Sequence, residues 1–325
     1  MAKYCVGIDL GGTFIKSALF DHAMKKLAER TSPTPSTAGP EGVVEVMAVD
    51  AAELIRSTGL DRGQVIGAGI GSPGPLDLQR GLVIAMPNIP GFDDFPIRDR
   101  LAQRLGIPAV LENDANAAAL GEFLAGGGRH VSDKVLLTLG TGVGSGIVIN
   151  KRLLHGAHGI GAELGHMVVE PEGEPCGCGQ RGCLERYASA TYMSQYAQRL
   201  IEAGRPSSLD EPLRRNGLLH GADICIHCRA GDAVAQEAWS RAVKYLAIGC
   251  VNICRILDPD RIVFGGGMAK AGADLLSPLG AAFAALHWSL TPPRTALVLA
   301  ELGNEAGVIG AAGVAWEKFG TGVSA

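Results

Sequence analysis

Residues 4–20 read YCVGIDLGGTFIKSALF, and residues 136–149 read LLTLGTGVGSGIVI. The first stretch is an apolar run, then Asp9-Leu10-Gly11-Gly12-Thr13, then a second apolar run to Phe20. This spacing predicts a β-hairpin closed by a glycine turn. The second stretch repeats the design as a strand, Gly140-Thr141-Gly142 and a return strand. Glycine-rich hairpins also recur by chance. Here both copies carry a polar residue just before the turn and a threonine inside it. The repeat, about half a chain apart, predicts two similar lobes, each opening on a phosphate-sized turn.

Working outward, residues 31–40 form a Pro/Ser/Thr-rich connection. Residues 42–58 have helical spacing, with Val43, Val46, Val49 and Leu54 on one side. A strand over 65–70 runs into Gly71-Ser72-Pro73-Gly74-Pro75. A helix is expected over 97–105, then a strand over 109–111 ending at Glu112-Asn113-Asp114, then an alanine-rich helix over 115–124. The second half is mostly helical, over 189–203, 233–257 and 271–286. A strand over 261–264 ends in Gly265-Gly266-Gly267. From Gly307 a helix of small residues begins, fit to pack very close to a sheet or a ligand.

The chain has 325 residues, enough for about two domains. Hydrophobic residues are 47% and charged residues 19%, which describes a packed protein rather than a disordered one. The formal net charge of −4 offers no basic face, so nucleic acid is not expected as a partner. The start shows no targeting segment, and the uncharged stretch 135–150 is too short and too glycine-broken to span a membrane. A cytoplasmic location without a membrane partner is expected. In that compartment the eight cysteines point to metal before disulfides.

Three glycine turns follow strands, at Gly11-Gly12-Thr13, Gly140-Thr141-Gly142 and Gly265-Gly266-Gly267. Glycine allows close backbone approach, so successive N–H groups can converge on an anion. Asp9 is placed to hold Mg²⁺ directly or through water. Lys16 either reaches a phosphate or is a solvated strand residue. Asn113 and Asp114 sit at the carboxyl end of a strand, where α/β sheets bind ligands. Such a carboxylate can act as general base, although both residue types also cap helices. Glu163-Leu164-Gly165-His166 is followed by Cys176, Cys178 and Cys183 in C-x-C-x4-C spacing, and then by Glu185. One histidine and three cysteines make a tetrahedral zinc set with no open position, hence structural Zn²⁺. Cys225 and Cys228 read instead as core packing.

Together these residues resemble the ROK family of sugar kinases, within the actin/Hsp70/hexokinase-like superfamily. The likeness covers nearly the whole chain. It rests on residues 9–13, 112–117 and 139–144, on Glu163 and His166, on the cysteine run and on Gly265-Gly266-Gly267. It implies an α/β, two-lobed, ribonuclease H-like fold with sugar and ATP-Mg²⁺ in a cleft between the lobes. Residues 1–115 plus 305–325 would form the smaller lobe, and residues 116–304 the larger one with the zinc site. The implied reaction is phosphoryl transfer from ATP to the 6-hydroxyl of a hexose, by a homodimer. By motif position Asp114 resembles the catalytic base. Asn113, Glu163, His166 and Glu185 resemble the sugar ligands, with Gly74 donating from its backbone. His166 would serve zinc and sugar through its two ring nitrogens. Asp9, Gly11, Gly12, Thr13, Lys16, Thr141 and Gly142 resemble the phosphate binders, and Gly265 and Gly266 the adenosine contact.

The resemblance is greatest to glucokinase-type members, especially at Pro87-Asn88-Ile89-Pro90-Gly91-Phe92 and across residues 112–118. N-acetylglucosamine and N-acetylmannosamine kinases of the family are the alternative. A further branch of the family consists of repressors with an N-terminal helix-turn-helix domain. The first strand here starts at Tyr4, so such a domain is not expected.

Overall fold

The computed structural model describes residues 3–86 and 89–320. Pro87 and Asn88 of the glucokinase-like stretch therefore lie outside the described residues. In chain order the elements begin with strands β1 (Tyr4–Leu10), β2 (Phe14–Asp21) and β3 (Lys26–Pro33), followed by helix α1 (Gly39–Ser57). Strands β4 (Val65–Ser72), β5 (Leu76–Asp77), β6 (Leu82–Ala85) and β7 (Asp93–Phe95) lead to α2 (Ile97–Leu105), β8 (Ala109–Asn113) and α3 (Asp114–Leu124). Then come β9 (Lys134–Leu139), β10 (Val143–Ile149) and β11 (Arg152–Leu153). Helices α4 (Glu185–Ala188), α5 (Ala190–Glu202), α6 (Asp210–Asn216), α7 (Gly221–Arg229) and α8 (Ala233–Leu257) follow. The chain ends through β12 (Arg261–Gly265), α9 (Ala273–Leu286), β13 (Ala296–Leu299) and α10 (Ala306–Phe319).

The expected repeat is present as topology. One five-stranded sheet runs β3-β2-β1-β4-β8 and the other runs β11-β10-β9-β12-β13. Numbered within each sheet, both orders are 3-2-1-4-5. In the first sheet β1, β4 and β8 are parallel neighbours, while β2 and β3 are antiparallel. In the second, β9, β12 and β13 are parallel. A third, small sheet runs β5-β6-β7.

Alternation along β1 decides what each face of the first sheet does. Val6, Ile8 and Leu10 join Val43, Val44, Met47, Leu54, Ile97 and Leu101 in one core, under α1 and α2. Cys5, on the other face, packs with Ala18, Phe20, Val308, Ala312 and Ala315, under α10. Asp9 follows the Cys5 phase, so it emerges on the α10 side at the end of the strand. Helix α10 lies very close to the sheet because both surfaces are small. A Cβ at Gly7 or Gly69 would overlap the carbonyl oxygen of Val308 or Ala311. The far side of α10 meets α3 in the same way, where Gly121 and Gly310 face the carbonyls of Ala306 and Ala117.

The second sheet buries its central strands on both faces. Val135, Leu136, Leu137, Ile262, Val263 and Phe264 are all at most 1% exposed. Such double burial suits parallel strands covered by helices.

Several sequence expectations differ from the structure. The chain divides into two compact units. One takes in the described residues up to 132, residues 146–162 and those from 301 onward; the other takes in residues 133–145 and 163–300. Helices α3 and α10, which meet through their glycines, both fall in the first unit. Residues 31–40 are not merely a connection, since β3 occupies residues 26–33 as a mostly exposed strand without apolar alternation. On α1 the buried stripe is Val43, Val44, Met47, Ala48, Ala51, Leu54 and Ile55, and Val49 points outward. Cys225 and Cys228 are half-buried rather than core residues, because α7 buries only Ile224 among its residues. Among the described residues, no helix is long and apolar enough to cross a membrane.

Candidate functional site

In the first unit the candidate residues gather where the parallel strands end. Register pairs Asp9 with Lys16 on β2 and with Gly71 on β4, and pairs Ser72 with Asn113. The turn between β1 and β2 is closed by Gly11 N–H donating to the Phe14 carbonyl at 3.0 Å, with Gly12 and Thr13 exposed. Thr34 holds this turn from outside: its hydroxyl donates to the Gly11 carbonyl at 2.7 Å, and its N–H to the Thr13 carbonyl at 2.9 Å. Lys16 is not a freely solvated strand residue, since its Nζ donates to the Asn304 carbonyl at 3.0 Å, just ahead of α10. The Asp9 carboxylate lies against Gly307, where an added Cβ would come within 2.6 Å of Oδ2. Burial, and then the Asp114 charge, push the Asp9 carboxyl up to about 6, while Lys16 pulls it back.

The two readings of Asn113 and Asp114 separate in the structure. Asn113 caps α3, its Oδ1 accepting from Ala115 N at 2.9 Å and Asn116 N at 3.2 Å. Capping therefore does not need Asp114, which occupies the first helical position. Its Oδ1 accepts from Ala115 N at 2.8 Å. Burial raises the Asp114 carboxyl above the usual range against the pull of these amides. Gly74 lies beside Asn113, since a Cβ on it would be 3.9 Å from the Asn113 side-chain nitrogen.

In the second unit the other two glycine turns adjoin. Gly266, at φ +82°, packs on the backbone of Leu139, and a Cβ there would meet its carbonyl oxygen at 2.5 Å. The turn after β9 is closed by Gly140 N–H donating to the Gly142 carbonyl at 3.0 Å. Val143, just beyond it, organises the next group. Its N–H donates to Glu185 Oε2 at 3.0 Å, and its carbonyl is approached so closely by Gly165 that no larger residue fits there. Leu164 N–H donates to Ser145 Oγ at 2.9 Å, and His166 N–H to the Glu163 carbonyl at 3.0 Å. The 163–166 turn and Glu185 are thus held on one strand. Glu185 also explains Gly142, whose Cβ would collide with Oε2.

His166, Cys176, Cys178 and Cys183 each offer a ligand atom, and these atoms all lie within 4.8 Å of one another. Cys176 Sγ is 3.7 Å from His166 Nδ1, and Cys178 Sγ is 3.6 Å from Cys183 Sγ. Zn–S bonds of about 2.3 Å in a tetrahedron give sulfur–sulfur edges of about 3.8 Å. The four residues therefore fit a closed zinc site. Nδ1 is the His166 ring nitrogen that faces the Cys176 thiol.

The expected residues thus fall into two sets. Asp9, Gly11, Gly12, Thr13, Lys16, Gly74, Asn113 and Asp114 belong to the first unit. Thr141, Gly142, Glu163, His166, Cys176, Cys178, Cys183, Glu185, Gly265 and Gly266 belong to the second. Reasoning from sequence missed Thr34, Asn304 and the pair Glu112–His155, although Glu112 lay inside a recognised motif. Gly307 was read as the start of a close-packing helix.

Known proteins resemble this chain along nearly its whole length. A glucokinase of Halalkalibacterium halodurans is 37% identical over 95% of this chain and 93% of its own length. The crystal structure of a ROK hexokinase from Thermus thermophilus matches with a TM-score of 0.85 at 36% identity, covering 98% of this chain and all of that one. A ROK family glucokinase from Streptomyces griseus, solved in complex with glucose and AMPPNP, matches with a TM-score of 0.77 at 33% identity, covering 97% and 99%. The ROK family model itself aligns with residues 5–318, from the first strand through the last helix, and the chain belongs to the ROK family.

Proposed function

We propose that this chain is an ATP-dependent glucokinase, transferring the γ-phosphoryl group of ATP to the 6-hydroxyl of glucose. The observation that carries the reading is Asp114. It is a partly buried carboxylate at the carboxyl end of a parallel strand, relieved of capping by Asn113 and raised in pKa by burial. In this role its carboxylate orients the 6-hydroxyl and takes its proton as the oxygen attacks the γ-phosphorus and ADP departs. A base whose pKa is lifted towards neutrality is a better proton acceptor, provided it stays ionised at the working pH.

The remaining roles follow from chemistry. Glu163, the Nε2 of His166 and the second oxygen of Glu185 would bind sugar hydroxyls, with Asn113 Nδ2 and Gly74 completing the set. The N–H groups of Gly11, Gly12, Thr13, Thr141 and Gly142 would hold phosphate oxygens. Gly265 and Gly266 would leave room for adenosine. Asp9 suits Mg²⁺, since a buried carboxylate crowded by a second one is stabilised in its ionised form by a divalent cation. When bound, that ion supplies charge neutralisation at the β- and γ-phosphates. His166, Cys176, Cys178 and Cys183 would hold a structural zinc that braces the 163–185 segment. The family resemblance adds a homodimer as the working form, which sedimentation would test.

The test is an ADP-release assay with glucose, joined to ³¹P spectroscopy of the product. ADP formation that depends on glucose and yields glucose 6-phosphate is expected. Absence of ADP release with glucose, mannose and both N-acetylhexosamines would overturn the kinase reading.

A further inference from the structure

We propose that Glu112 is a positioning residue for Asp114, and that His155 holds Glu112 in that task. This rests on the kinase reading above, in which Asp114 is the base. Glu112 precedes Asn113 at the end of β8, and its side chain is only 3% exposed. A carboxylate so placed must have each oxygen satisfied. Oε1 accepts from the Asn113 N–H at 2.9 Å and from the Asn116 side-chain amide at 3.0 Å. Oε2 meets His155 Nε2 at 2.7 Å.

The first two bonds straddle the base. Asn113 is the cap that fixes the start of α3, and Asn116 lies two residues beyond Asp114. One carboxylate therefore grips the backbone before the base and a side chain after it. Whatever moves Glu112 turns the first helical residue, and misplacement by about 1 Å can cost about 100-fold in rate. Capping by Asn113 alone would leave this three-residue span hinged on a single side chain.

His155 is the remaining anchor. It sits after β11, its side chain 38% exposed, and two carboxylates face it, Glu112 from β8 and Glu317 from α10. Arg152 from β11 acts on Glu317. The Glu112 hydrogen bond raises the imidazole above its ordinary range, against burial, and Glu317 adds to the rise. Burial, then the Glu112 charge, raise Glu317 in turn. Both carboxylates favour the charged form of the ring, and in that form its bond to Glu112 is charge-assisted.

The experiment compares His155→Leu, His155→Gln and Glu112→Gln in the full chain, with thermal melting as the control for folding. Loss of the donor in His155→Leu should lower kcat about tenfold, with KM for glucose within about twofold. Glutamine can donate to the same oxygen, so His155→Gln should recover kcat to within about threefold of wild type. Glu112→Gln should bring the imidazole titration of His155, followed by NMR, to lower pH. Wild-type kcat in His155→Leu, equal damage in the Leu and Gln variants, or a kcat loss matched by loss of folded protein would each overturn the proposal. If wild type phosphorylates no hexose, the kinase reading fails on its own. The positioning is then read from hydrogen exchange of the Asn113 and Asn116 amides, expected to quicken about tenfold in His155→Leu only. Unchanged exchange would overturn it.

Discussion

Asp9 and Asp114 end neighbouring parts of one sheet, and each is raised above the ordinary carboxylate range by burial. For Asp9 the sign can be followed through. The unfolded chain ionises near 3.8 and the folded one near 6. Below both values the group is neutral in each state and costs nothing. Between them the unfolded chain ionises first, so stability falls as pH rises, and above 6 the full cost remains. A shift of about two units is roughly 3 kcal/mol. Asp9→Asn should therefore stabilise the metal-free protein by up to about 3 kcal/mol at pH 8, with the gain falling to about a third of that at pH 4.5 and towards zero only below about pH 3, while phosphoryl transfer collapses. Thermal melts at the two pH values without added divalent cation decide this; an equal gain at both would contradict it. Asp114→Asn keeps shape and removes the proton acceptor. A kcat loss of about 10²–10⁴ with a melting temperature no lower than wild type is expected, and a variant above half of wild-type kcat would remove Asp114 from the base role. Both aspartates were legible in the sequence because each ends an apolar run at a turn or helix start. The pair Glu112–His155 was not, since its partners lie 43 residues apart and only folding brings them to 2.7 Å.

Between elements, glycine sets the distances. Helix α10 fits between the sheet and α3 because Gly121 and Gly310 present no side chain to the facing carbonyls. In Gly310→Ala the new Cβ would occupy the place of the Ala117 carbonyl oxygen, so one helix backbone must move. Overpacking of this kind costs about 1–3 kcal/mol or more. A drop of that size in denaturant-derived stability is expected, and a neutral result would mean that the helices separate cheaply. The sequence announced a close-packing helix from Gly307 onward, but not its neighbours, because small residues say how near a partner can come and not which partner it is. The cysteine run was more explicit, since ligand spacing is itself the message. Cys178→Ser removes one of four ligands. Elemental analysis should find about one zinc per chain in the wild-type protein and a clear deficit in the variant, with weaker glucose affinity because the proposed site has His166 serve both zinc and sugar. Wild-type protein free of metal after purification without chelators would end the zinc assignment. Cys225 and Cys228 show the limit of spacing. Two thiols one turn apart fit a core or a surface equally, and only the packing of α7 on Ile224 leaves them half-buried.

At the scale of the whole chain, the doubled strand order was foreshadowed by two glycine hairpins, whereas the unit boundaries were not. The chain crosses between units at 132/133, 145/146, 162/163 and 300/301, and no turn residue marks a crossing as such. Substrate choice also belongs to this scale. In the proposed site Glu163, His166 and Glu185 would pair with hydroxyls at C1 and C2, yet the family resemblance implies the same set in members that take N-acetyl sugars. The tilt towards glucose comes from likeness along the full length. Chemistry gives that tilt a testable form. A site whose charged groups pair with the 2-hydroxyl offers little apolar space for an acetyl methyl, and an acetamido group there leaves buried polar atoms without partners. Mismatches of that type are worth up to about 10⁴ in specificity, whereas a merely inverted hydroxyl can keep part of its bonding. The kcat/KM for glucose should therefore exceed that for N-acetylglucosamine and N-acetylmannosamine by at least about tenfold, with mannose between them. The ratio is measured under saturating ATP, with each sugar varied alone. A preference for either N-acetylhexosamine would replace glucose as the substrate, and it would leave Asp114 in place as the base.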